Sequence, residues 1–366
     1  MRQHRVAYLA GDGIGPEVCA VARDCVNAAG DRFGFGVTWD EQLVGGVAID
    51  AVGNPLPSVT LDACREADAV LLGAVGGPAW DNPAASSRPE DALLGLRSEL
   101  ELFANLRPVR AHAALASASP LRAEVRADAD VLIVRELTGG LYFGRPQGRE
   151  EHDGVESAVD TLRYTRTEIE RIVELAFVLA ADRRGHLTSV DKANVLASSR
   201  LWREVVDEVA PRHPSVTVEH ALVDSTAYLL MADPRRFDVI VTENLFGDIL
   251  SDEAAAIAGS LGLLPSASLG TQATAHSRFG LYEPVHGSAP HIAGRGVANP
   301  LATVASAAMM LRLSLGEMNA ADALEEAVDS AIERGPRTAD LGGQAGTQAV
   351  AAFLLTALAA PVGATP

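Results

Sequence analysis

Short apolar runs alternate with helical patterns along this chain. Val6–Ala10, Ala69–Gly73, Val131–Val134, Leu187–Val190, Val216–Leu222 and Val239–Thr242 read as strands. Thr167–Ala181 and Ser199–Ala210 read as amphipathic helices. Strand–helix alternation predicts an α/β fold built on a large mixed, mostly parallel sheet. No repeat of solenoid length interrupts it. Tyr282–Pro300 is rich in Gly and Pro and has no period, so it reads as a long loop, and such loops are commonly functional. The Ala-rich stretch Thr347–Ala360 reads as a closing helix, with Pro361–Pro366 frayed beyond it.

Composition narrows the picture. The 366 residues are enough for two domains or one large unit. Hydrophobic residues make up 48% and aromatics only 5%, which suits helices packed on a buried sheet better than a β-sandwich. The formal net charge of −18 argues against nucleic acid or an anionic membrane as partner. An anionic substrate would therefore need a local island of positive charge. Cys19, Cys25 and Cys64 are odd in number and match no metal spacing, so they read as reduced, partly buried thiols. The segment MRQHRVAYLAGDGIG has too short an apolar run for a signal peptide, and no stretch approaches the ~18 apolar residues of a membrane span. A cytoplasmic protein is expected.

Candidate chemistry begins at Glu243, after the last apolar run. Asp248 and Asp252 are four apart, so a helix opening there puts both carboxylates on one face. Like charges at that spacing cost about 0.2–0.5 kcal/mol on an exposed helix, and a bridging divalent cation reverses the sign. A solvated acidic face would look the same in isolation. Its place after a strand favours a site. Asp224, after Val216–Val223, could supply a third carboxylate.

Arg97, Arg107 and Arg135 lie in or beside apolar segments. Their planar forks match carboxylates, although each alone is an unremarked ion-paired arginine. Tyr142 follows the Gly139-Gly140 turn, and Lys192 follows a strand; near a metal and other cations such a lysine can act as a base.

Gly11-Asp-Gly-Ile-Gly15-Pro looks like a dinucleotide turn, but Pro16 stands where the third glycine of G-x-G-x-x-G belongs. A standard Rossmann nucleotide site is thus unsupported. The loop His286–Pro300 is the better nucleotide candidate, with small residues for close approach, an imidazole to stack on adenine, and Asn299 as base reader.

Together these segments resemble the β-decarboxylating dehydrogenases, whose members act on 3-isopropylmalate, isocitrate, homoisocitrate and tartrate. The nearest likeness is to the 3-isopropylmalate branch. It is carried by GDGIGPEV, LLGAVGGPAWDN, RPEDALLGLRSELELFANLRPV, RELTGGLYFG, LTSVDKANVL, RFDVIVTENLFGDILSDEAAAIAGSLGLLPSASLG and LYEPVHGSAPHIAGRGVANPLATVASAAMMLR, from about Val6 to Thr347. The resemblance implies oxidative decarboxylation of a 3-substituted malate in leucine biosynthesis. By it, Arg97, Arg107 and Arg135 bind the malate carboxylates; Asp248 and Asp252 ligate Mg²⁺ or Mn²⁺, with Asp224 joining from a second subunit and touching substrate.

Tyr142 and Lys192 are by the same resemblance the proton-transfer pair, Lys192 acting across a homodimer. Glu90, Leu93 and Leu94 meet the alkyl group. Ile14, Asn194, Glu283, His286, Gly287, Ser288, Ala289, His291 and Asn299 meet the nicotinamide cofactor. Two leucines would leave the third carboxylate of isocitrate unpaired, which disfavours that substrate. The implied fold gives one domain both chain ends (1–103 and 258–366) and a second domain (104–257) the dimer interface, metal and substrate residues.

The chain departs from the resemblance at two places. His291 stands where NAD-dependent members have an Asp that accepts from the adenosine ribose hydroxyls; an imidazole offers fewer acceptors and could donate to a 2′-phosphate. NAD is the expected cofactor and NADP the alternative. Tyr228 is bulkier than the residue usual there, and with the idiosyncratic stretch Thr271–Arg278 it leaves open a paralogue acting on 3-methyl- or 3-ethylmalate in secondary metabolism. A non-catalytic regulatory paralogue is the alternative of another class; such subunits lose the metal aspartates, the lysine or the tyrosine, and all are present here.

Overall fold

The computed structural model describes residues 2–80, 87–274 and 277–359. The tail Pro361–Pro366 lies outside them, as do two residues of the Thr271–Arg278 stretch. The chain divides into two compact units: residues 1–102, 112–120 and 258–366 form one, and residues 103–111 and 121–257 the other.

In the first unit, strands Phe35–Glu41, Arg2–Gly11, Ala69–Ala74, Arg278–Pro284 and Pro265–Ala273 lie side by side in that order. All neighbours are parallel except the last two. Ala69–Ala74 is buried throughout, as an unbroken apolar run demands of a strand covered on both faces. Helix Gly15–Phe33 begins with Pro16 in its first turn, where a missing N–H costs nothing, and ends at Gly34 with φ 79°. This explains why the proline follows the glycine-rich turn: it starts a helix.

In the second unit the order is Leu102–Arg110, Asp130–Glu136, Val239–Thr242, His186–Asp191 and Thr217–Leu222, antiparallel only at the first pair. Val239, Ile240 and Val241 are fully buried. Each such aliphatic side chain contributes about 1.5–3 kcal/mol, so a register slip that exposed them is strongly disfavoured. Helix Arg166–Ala181 is opened by a capping box, Thr165 accepting from Glu168 N–H while the Glu168 carboxylate accepts from Thr165 N–H.

The apolar pattern underestimates some elements. The first strand runs four residues further toward the N-terminus than Val6–Ala10, because residues 2–5 pair with Phe35–Thr38 although their side chains are mostly polar. The loop expected to begin at Tyr282 begins after Pro284, because Tyr282 is a fully buried strand residue paired with Ala267 and Leu71. The three cysteines are fully buried rather than partly buried. Burial pushes each thiol up to about 12. Among the described residues no helix is long and apolar enough to cross a membrane.

Candidate active site

The site residues of the second unit follow from strand register. Thr242 pairs with Arg135 on one side and Val190 on the other, and Asp191 pairs with Leu222. The four parallel strands therefore end in step. Arg135 near the end of its strand, and Asn244, Lys192 and Asp224 just beyond theirs, collect at the carboxyl ends, where open α/β sheets build sites.

Asp248 is the hub. It lies on helix Asn244–Ala258, one turn before Asp252. Arg135, only 1% exposed, donates to Asp248 Oδ1, the Tyr142 hydroxyl donates to Oδ2 at 2.8 Å, and Arg107 Nη2 stands 3.5 Å away. Arg107 also reaches Ser251 Oγ (2.6 Å) and Asp252 Oδ1 (3.3 Å), and its Nε donates to Asn105 Oδ1 at 2.7 Å. Two guanidinium groups thus face two carboxylates, and the local charge departs from the acidic whole. Partial desolvation lifts the Asp252 carboxyl above its ordinary range; Arg107 works against that rise and the Asp248 charge adds to it.

Lys192 and Asp224 form a second group. The Lys192 Nζ donates to Asp224 Oδ1, and this hydrogen bond holds the Asp224 carboxyl below its usual range. The Lys192 backbone N–H donates to Ser199 Oγ at 3.0 Å, which fixes the turn. Asn194, two residues on, is exposed.

In the first unit, helix Glu90–Glu99 stacks Glu90, Leu93, Leu94 and Arg97 along one face, leaving the two leucines half-buried. Arg97 Nη2 lies 3.6 Å from Glu283 Oε1. The arginine trio is thus resolved as a pair on Asp248 and a third beside Glu283.

The loop after Pro284 is pinned to the first turn of the chain. Ile14 N–H donates to Ser288 O at 2.8 Å. Gly13, at φ +59°, lies so close to Ser288 that a Cβ would stand 2.0 Å from its carbonyl oxygen. That glycine serves packing within the protein. Ala289 and Ile292 pack on Ile14, Val18 and Ala298, and Ala289 adopts a positive φ of 38°, strain of the kind stored at functional loops. Asn299 donates to Asp340 Oδ2 (3.0 Å) and accepts from Leu301 N–H (3.1 Å), so its amide holds the loop to the next helix.

His286 Nδ1 contacts Gly287 O at 3.0 Å, which makes Nδ1 the protonated nitrogen and Nε2 an acceptor. Burial lowers its pKa, and the buried Nε2 has no partner among the described residues. An orphaned acceptor of this kind fits a nucleobase amine. His291 is exposed.

Sequence reading missed Asn105, Ser251, Asn244 and Asp340, whose polar side chains gain meaning only from tertiary neighbours. It also missed Gly247. A Cβ there would lie 2.6 Å from Arg135 Cγ and 2.8 Å from its Cβ. Gly247→Ala should therefore push the Arg135 stem aside and raise the substrate KM at least tenfold with little change in helix content, by steady-state kinetics and circular dichroism.

The isocitrate/isopropylmalate dehydrogenase family model matches residues 5–354. The chain belongs to this family. A 3-isopropylmalate dehydrogenase of Geobacillus kaustophilus is 57% identical over 346 residues, 94% of this chain and 92% of that protein. One from Heyndrickxia coagulans is 59% identical over 337 residues, 92% and 90% of the two chains. Among solved structures, isocitrate dehydrogenase from Methylococcus capsulatus aligns with a TM-score of 0.85 at 35% identity, covering 97% of this chain and 99% of that one. A beta-decarboxylating dehydrogenase from Thermococcus kodakarensis aligns at 0.76, also 35% identical, over 97% and 96%. The isocitrate/isopropylmalate dehydrogenase fold of the family is thus this chain's fold, and the chain is a dehydrogenase by descent.

Proposed function

We propose that this protein oxidises and decarboxylates (2R,3S)-3-isopropylmalate to 4-methyl-2-oxopentanoate and CO₂ in leucine biosynthesis, passing hydride to NAD. The observation that carries this reading is the Arg107–Arg135–Asp248–Tyr142 constellation beside Asp252. The full-length curated relatives named for that activity support it.

The residues fit a divalent cation. Asp248 and Asp252 offer hard carboxylate oxygens one turn apart, the chemistry Mg²⁺ and Mn²⁺ prefer. Among the described residues of one chain, no group of three His, Cys, Asp or Glu gathers to hold an ion. The third ligand is assigned to Asp224 of a second copy. The homodimer this requires has candidate surface in Tyr228 (72% exposed) and Ile249 (56%), apolar side chains on helices Val223–Ala232 and Asn244–Ala258. When bound, the divalent cation supplies Lewis-acid stabilisation of negative charge at the C2 oxygen, and the nicotinamide accepts the hydride.

The protein's own groups supply binding and proton transfer. Arg107 and Arg135 hold the malate carboxylates by charge-assisted forks, and Arg97 is the third cation of the set. Lys192 takes the C2 hydroxyl proton. Tyr142 delivers a proton to C3 after CO₂ leaves; its hydroxyl is already oriented by Asp248. Glu90 borders the alkyl group, and Leu93 and Leu94 give it an apolar berth. Asn194 meets the nicotinamide amide. Ile14, Glu283, His286, Gly287, Ser288, Ala289, His291 and Asn299 meet the cofactor, with His286 Nε2 as acceptor.

Purified protein with Mn²⁺ and NAD should release CO₂ from 3-isopropylmalate faster than from 3-methylmalate, 3-ethylmalate, malate, isocitrate or homoisocitrate. Faster turnover of a smaller 3-alkylmalate would move the assignment to another pathway and keep the chemistry. His291→Asp should raise the NAD-over-NADP preference in kcat/KM about tenfold, because a carboxylate accepts both ribose hydroxyls and repels a 2′-phosphate. An unchanged ratio would remove His291 from cofactor selection.

A further inference from the structure

Arg135 is nearly fully buried, and a buried guanidinium with one wrong torsion would present the wrong edge to an anion. Asp248 accepts from its Nη1, and Asn244 takes the other edge of the fork. Asn244 Oδ1 accepts from both Nε (3.1 Å) and Nη2 (2.8 Å) of Arg135, and Asn244 Nδ2 donates to Gly139 O at 3.2 Å. The amide cannot rotate end for end, because its nitrogen would then face a cation. Asn244 is 1% exposed and begins the helix that carries Asp248 and Asp252.

Asn244 is itself anchored. Its backbone N–H donates to the Tyr164 hydroxyl at 2.9 Å, and that hydroxyl donates to Glu243 Oε2 at 3.3 Å. Glu243 also accepts from Phe246 N–H (3.1 Å) and Leu245 N–H (3.4 Å), the opening amides of the same helix. The Tyr164 ring is held edge-on by Trp202 at 5.8 Å. Glycines at 139 and 140 allow its approach: a Cβ on Gly139 would stand 2.5 Å from the ring, and one on Gly140 2.7 Å from the hydroxyl. A run of contacts thus leads from the Trp202–Tyr164 pair through Asn244 to the Arg135 fork, all within the second unit.

We propose that Asn244 is the positioning residue for Arg135, and that Tyr164 holds Asn244 in register. The role in substrate binding rests on the function proposed above; the orientation of Arg135 does not. Asn244→Ala should raise KM for 3-isopropylmalate on the order of tenfold, the size expected for losing hydrogen bonds to a charged group, and leave KM for NAD within twofold. Tyr164→Phe should raise the same KM by a smaller factor. Ile332→Val, a core truncation in the first unit, serves as the stability control: it should lower Tm and leave both KM values unchanged.

Crystals of Asn244→Ala should show the Arg135 guanidinium turned from its wild-type position. This readout holds even if the wild type turns over no malate analogue, an outcome that would sink the proposed function alone. A guanidinium unmoved in those crystals overturns the proposal, as does a dicarboxylate KM that stays at the wild-type value in an active variant.

Discussion

Lys192→Met is expected to lower kcat by about 10²–10⁴-fold while leaving the fold intact, the range that loss of a positioned proton acceptor gives. The side chain is held by Asp224, and the turn that carries it is fixed by Ser199, so a thioether of similar length can occupy the space without disturbing the strand. Binding of 3-isopropylmalate should survive within a few fold, because no assigned carboxylate contact is removed. Single-turnover measurements would separate the cases. A variant that still produces NADH at the wild-type rate would exclude Lys192 as the base. Loss of Tm comparable to loss of kcat would instead mark Lys192 as structural.

Asp248→Asn should be as damaging, for a different reason. Arg135, Tyr142 and Arg107 converge on this carboxylate, and an amide there would offer one oxygen and two N–H donors to a set of donors. Turnover should fall by about 10³-fold, the several kcal/mol that metal Lewis-acid stabilisation supplies, because an amide is a poor ligand for the divalent cation assigned to this position. Wild-type protein should also gain thermal stability with Mn²⁺, by about 2.7 kcal/mol at one hundred times Kd. The Asp248→Asn substitution should abolish that gain, read by calorimetry with and without the ion. A Tm that rises equally in both proteins would place the ion elsewhere.

The candidate site was legible in the sequence chiefly through the family resemblance, and the positions of several candidates at strand ends added to it. Val239–Thr242 reads as a short buried strand, and a helix after it places Asp248 and Asp252 on one face, although the spacing alone does not separate a metal site from a solvated acidic face. Arg135 was visible as a charge terminating the apolar run Val131–Val134. The partnership of Lys192 with Asp224 was not visible, because it follows from the pairing of Asp191 with Leu222, a contact between segments distant in sequence. Asn244 and Tyr164 were equally silent: an Asn after a strand reads as an ordinary helix start, and a Tyr before a helix as a half-buried aromatic. Gly13 sits in a turn whose dinucleotide fingerprint Pro16 breaks, and its packing against Ser288, a residue distant in sequence, was not announced by the spacing.

The inaccessible sulfur atoms have a practical corollary. With each of the chain's three thiols enclosed and pushed up to about 12, maleimide and iodoacetamide should leave the native protein unmodified. A single cysteine engineered onto the surface would then be the sole fast-reacting position. Fluorophores or spin labels could be attached there without first building a cysteine-free background.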